Sequence, residues 1–87
     1  MTLEEESRRG EQARRLLDDS LLQEAFATVD AALREAWAAT ADDATAERER
    51  LWSMLKLLGR LRAHLTAVLE TGKLADAQLA ARERQRQ

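Results

Sequence analysis

Apolar positions fall into three sets along the chain. The strongest runs from Leu51 to Leu69, LWSMLKLLGRLRAHLTAVL. There Leu51, Met54, Leu58, Leu61, Leu65 and Val68 recur at alternating spacings of three and four, the rhythm of a packed helix. Leu55 and Leu69 widen this seam on one side and Leu57 on the other, so the arc spans roughly 160° at about 100° per residue. One neighbouring helix cannot cover so wide an arc. Upstream, Leu21, Leu22, Ala25, Phe26, Val29, Ala32, Leu33, Ala36 and Trp37 predict a helix over 21–39. Leu3, Gly10, Ala13, Leu16 and Leu17 share a face and predict a first helix over 3–17. An unbroken helix from residue 3 would turn Leu16 and Leu17 away from the Leu21–Trp37 set. The apolar phase slips at Asp18-Asp19-Ser20, which reads as a kink or short turn. A continuous helix whose first turns face another neighbour would give the same pattern.

The polar positions set the boundaries. Thr2 and Glu5 form a T-x-x-E capping box, and Glu4, Glu5 and Glu6 suit the positive end of a helix. Ser20 with Gln23 repeats that chemistry before the second helix. Thr40 to Asp43 reads as the connection to the third, and Gly72 as its C-cap. The expected organisation is a single helical domain over 1–72 and a short helical or frayed polar tail over 73–87. Two long helices joined by a short connection lie antiparallel. The fold class expected is therefore all-α: a helical hairpin with an additional N-terminal helix, assembling into a bundle. In its core Leu51, Leu58, Leu61 and Leu65 would face Leu22, Phe26, Val29 and Leu33. Arg62 interrupts the arc and calls for an acidic partner, which the fold-back would supply from Asp18 or Asp19.

Composition agrees with this reading. The chain has no proline and three glycines, so its helix formers run uninterrupted. Aromatics make up 3%, and Val29 and Val68 are the only Val or Ile residues, which argues against a sheet. A net charge of −2 advertises neither nucleic acid nor an anionic membrane. The absence of cysteine removes disulfides, thiolate metal sites and a Cys nucleophile. No apolar run approaches a membrane span, and the acidic, polar N-terminus is unlike a signal peptide. A cytoplasmic setting is expected.

Candidate chemistry is sparse. His64, the one histidine, has no second ligand at i±4 and reads as a structural residue. Asp18-Asp19 and Asp42-Asp43 are adjacent carboxylates, but both sit where helix caps are needed. No phosphate loop, Ser/His/Asp grouping or nucleophile motif occurs, so neither enzyme activity nor a cofactor or metal is expected. Arg82, Arg84 and Arg86 could touch phosphate, yet alternating with Glu83 and Gln85 they read as a solvated helix end. Trp37 and Trp52 flank the connection, and Gly59 lies near the face of Trp52 and Leu55. They form either a lid over the hairpin end or an aromatic anchor for a partner.

The phrases ESRRGEQARRLLDDSLLQEAF, EAWAAT, RERLWSMLKLL and RAHLTAVLETGKLA together cover nearly the whole chain. In layout it resembles small helical proteins encoded in tailed-phage and prophage gene clusters for packaging and head assembly. The resemblance implies an oligomeric helical role, in host cytoplasm or virion, and carries over no site residues. The function expected is a self-associating accessory without catalytic activity, its partners a second copy or another phage assembly protein. The alternative is a nucleic-acid-binding oligomer resembling a reduced small terminase subunit, though no DNA-reading element is evident. Leu55, Leu57 and Leu69, with Trp52 and Gly59, are the expected interface, and a two-fold dimer is the simplest closed form.

Overall fold

The computed structural model describes residues 1–86 and contains three helices: α1 (Leu3–Asp18), α2 (Ser20–Ala38) and α3 (Thr45–Arg86). Among the described residues there is no strand. Gln87, the last residue of the expected tail, lies outside them.

Local chemistry explains the boundaries. The Thr2 hydroxyl accepts the Glu5 backbone N–H at 3.1 Å, and the Thr2 carbonyl accepts that of Glu6 at 3.0 Å. Three glutamates in the first turn complement the exposed amides. α1 ends where Asp19 turns extended, with φ −67° and ψ 120°, while its N–H still donates to the Leu16 carbonyl. Ser20 starts the next helix at once, so the expected break is one residue long. Residues 39–44 close the end of α2, where both the N–H and the hydroxyl of Thr40 donate to the Trp37 carbonyl.

Gly72 does not end the third helix. α3 continues through it for another 14 residues to Arg86, and no glycine has positive φ. The αL geometry of a glycine C-cap is therefore absent. The chain separates into a terminal unit, Met1–Asp19 together with α3 from Ala63 onward, and a central unit, Ser20–Arg62.

Small residues build the terminal unit. A Cβ added to Gly72 would meet the Gly10 Cα at 2.6 Å, so the two backbones are in contact there. Ala13 and Ala75 are 2% and 1% exposed. The Ser7 hydroxyl donates to the Asp76 carboxylate, and Arg82 reaches Glu4 at 3.8 Å. Early α1 thus meets late α3, and the pair runs antiparallel.

In the central unit the contacts also run in opposite order along the two helices. Arg48 lies over Trp37, Leu33 shares a cleft with Leu51 and Leu55, and Arg62 lies 4.9 Å from the Phe26 ring centroid. Phe26 is the one large side chain close to full burial, 7% exposed. Leu22, Leu33, Leu51, Leu55 and Leu58 are half-buried. The expected core is corrected at Val29 and Leu61, which are exposed, and at Leu65, which belongs to the terminal unit; Met54 of the seam is exposed as well. α2 meets α3 along Leu51, Leu55 and Leu58, one step around the helix from the 51/54/58/61 seam. A single partner covers only part of a wide arc, and Met54, Leu57 and Leu61 fall on the uncovered part.

Candidate association surface

The central unit has two unlike sides. On α2, successive residues advance by roughly 100°, so Leu21, Ala25, Val29, Ala32 and Ala36 form a stripe adjoining the Leu22–Phe26–Leu33 contact face. All five are exposed. On α3, Met54, Leu57 and Leu61 form a second stripe adjoining Leu51–Leu55–Leu58, and all three are exposed. Both stripes are displaced from their contact faces in the same rotational sense. Two right-handed helices lying antiparallel bring such stripes to the same side of the pair. The result is one apolar surface across α2 and the first part of α3. Its five large side chains are 46–71% exposed.

The opposite side is aromatic and charged. Leu33, Arg34, Trp37, Leu51, Trp52 and Leu55 line a cleft there. The Arg48 guanidinium sits 4.0 Å from the Trp37 ring centroid and donates to the Thr40 hydroxyl at 2.9 Å. Lys56 lies 5.8 Å from the Trp52 ring centroid. Arg34 donates to Asp30 at 2.7 Å, and this hydrogen bond raises the guanidinium's already high pKa. Each indole therefore has a cation from its own chain over it, each contact contributing about 0.5–1 kcal/mol at such exposed positions.

The expected interface residues separate. Leu57 lies on the apolar surface, Leu55 and Trp52 line the cleft, and Leu69 is half-buried in the terminal unit. Gly59 is exposed, and a Cβ there would meet nothing within 4 Å. Within the chain the close backbone approach is between Gly10 and Gly72. The sequence reading passed over Leu21, Val29, Met54 and Leu61 as surface residues. Their signal was present in the excess width of both apolar arcs, but it needed the contact phase to be known.

The other candidates are dispersed. His64 is exposed beside a shallow depression formed with Met1, Glu6, Arg9, Ala67, Val68 and Thr71. Arg82, Arg84 and Arg86 are exposed, with Arg82 near Glu4 and Arg86 4.0 Å from Glu83. Asp18 accepts from Arg14 at 3.1 Å. Among the described residues no group of acidic or histidine side chains could hold a metal ion, and no helix is long and apolar enough to cross a membrane. Comparison with protein-family models, curated proteins and solved structures finds no match to this chain.

Proposed function

We propose that this protein is a non-catalytic association module that docks a second copy of itself through the apolar surface of its α2/α3 hairpin. One observation carries the reading: Leu21, Val29, Met54, Leu57 and Leu61 form a contiguous exposed apolar surface on a unit with a single well-buried large side chain. The area they present is on the order of 500 Å², the size of patch that is often functional on a small protein. Two such surfaces together give about 1,000 Å², the lower bound for a specific interface. The small core supports the same reading, because thin helical units gain much of their stability by pairing. Two hairpins would complete a four-helix bundle. The resemblance to phage packaging and head-assembly proteins supports an accessory role in that setting.

The test is sedimentation equilibrium of the full chain over roughly 1–100 µM, a range that spans typical association constants. The expected result is a dimer of the 9.8 kDa chain that L57D and L61D convert to monomer while helix content is retained. A wild-type chain that stays monomeric throughout refutes the proposal.

A further inference from the structure

We infer that the two copies pack with α2 of each against α3 of the other, around a two-fold axis parallel to the helices, and that charge on the flanks of the apolar surface selects this arrangement. The inference rests on the self-association proposed above and specifies its geometry. Two face-to-face arrangements of a helix pair have two-fold symmetry. With the axis along the helices, α2 lies over the partner's α3. With the axis across them, α2 lies over the partner's α2 and α3 over the partner's α3. Apolar contact alone does not distinguish these, since both cover the same side chains.

The flanks do distinguish them. Beyond the α2 stripe, on its outer edge, the helical repeat places Glu24 and Glu35, both exposed. Arg34 and Asp30, the other charges of α2, pair with each other on the opposite side. On and beyond the α3 stripe lie Arg50 and Arg60, both exposed, together with Glu47 and Glu49, while Lys56 falls on the Trp52 side. The α2 edge therefore carries acids alone, and the two bases of the surface, Arg50 and Arg60, lie on α3. Stacking α2 on α2 would set Glu24 and Glu35 against the same acids of the other copy. Stacking α2 on the other copy's α3 sets each acidic edge beside Arg50 and Arg60 instead.

The heights match as well. The Phe26–Arg62 and Trp37–Arg48 contacts fix the register of the hairpin. A two-fold axis along the helices preserves height, so Glu24 comes level with the partner's Arg60 to within about one turn, and Glu35 with the partner's Arg50. Each acid then meets a base twice per dimer. Neighbouring helices in this bundle are all antiparallel, and the Trp37/Trp52 cleft of each copy stays on the outside.

The experiment uses two full-length double variants, E24R/E35R and R50E/R60E, with circular dichroism to confirm that each retains its helices. Each variant alone should associate at least about tenfold more weakly than wild type, because like charges now face each other. An equimolar mixture should regain wild-type affinity to within a few-fold, as a heterodimer. A mixture that stays as weak as its components overturns the arrangement, as does either variant dimerising undiminished. Should a variant fail to fold, the wild type supplies the second measurement. Raising salt from about 50 mM to 1 M should weaken its dimer severalfold if opposite charges meet, and strengthen it if like charges do. A wild-type chain that never dimerises defeats the underlying proposal instead, so the two failures are separable.

Discussion

The Gly10–Gly72 contact makes a prediction whose sign is unusual for a helical glycine. Replacing glycine by alanine within a helix ordinarily gains up to about 1 kcal/mol, by removing conformational freedom from the unfolded chain. At Gly72 the new Cβ would stand 2.6 Å from the Gly10 Cα, 3.1 Å from the Glu6 carbonyl oxygen and 3.3 Å from the Gly10 nitrogen. All three neighbours are backbone atoms, so no side chain can rotate aside. The helices must separate by roughly 1 Å, loosening the packing around Ala13 and Ala75; overpacking of this kind costs about 1–3 kcal/mol. Subtracting the propensity gain leaves a net loss of up to about 2 kcal/mol for G72A. G59A is the matched control on the same helix, because its Cβ would meet nothing within 4 Å. It should gain about 0.5–1 kcal/mol. Urea unfolding followed by helical ellipticity, at one fixed protein concentration, measures both. If G72A raises the midpoint as G59A does, the helices are not in backbone contact there and the reasoning fails.

Two further outcomes are expected. F26A should cost about 3 kcal/mol in the same assay, since Phe26 is the best-buried large side chain and its ring also faces Arg62; a loss below about 1 kcal/mol would show that the α2/α3 seam is not packed around it. Glu11 has its carboxyl held below the ordinary range by its hydrogen bond to Arg14, whose own pKa is raised by that bond. The pair therefore stabilises α1 above the unfolded glutamate's pKa of about 4 and is lost as pH falls through the lower folded value. E11Q should flatten the acid limb of the helicity profile, and an unchanged limb would mean that the pair contributes nothing.

Much of the fold was legible because it is written in neighbouring residues. Thr2 and Glu5 cap α1 as their spacing requires, and the single-residue break at Asp19 lies where the apolar phase slips. Features that depend on distant partners were not legible. Gly72 is compatible with a helix end or with a close helix crossing, and only Gly10, 62 positions earlier, decides between them. The spacing of Leu51, Met54, Leu58 and Leu61 does not say along which line α2 meets α3. α2 follows Leu51, Leu55 and Leu58, which leaves Leu61 outside. The width of the arc was readable; which part of it stays exposed depends on the angle at which α2 approaches.

The division of α3 between the two units has a consequence for how the chain reaches this fold. The central unit is contiguous, Ser20–Arg62, and its helices are joined by residues 39–44. The terminal unit brings together Met1–Asp19 and the chain beyond Ala63, across roughly forty intervening residues. Closing the longer loop from an unfolded chain carries an entropic penalty about 1.5–2 kcal/mol greater than closing the short one. Once the central unit has formed, those intervening residues no longer behave as a free loop, and most of that extra penalty disappears. Local pairing around Phe26 therefore makes the later approach of Gly10 to Gly72 easier, and the order of assembly follows from loop length alone. Fraying should run in reverse, with amide protons of α1 exchanging before those of α2.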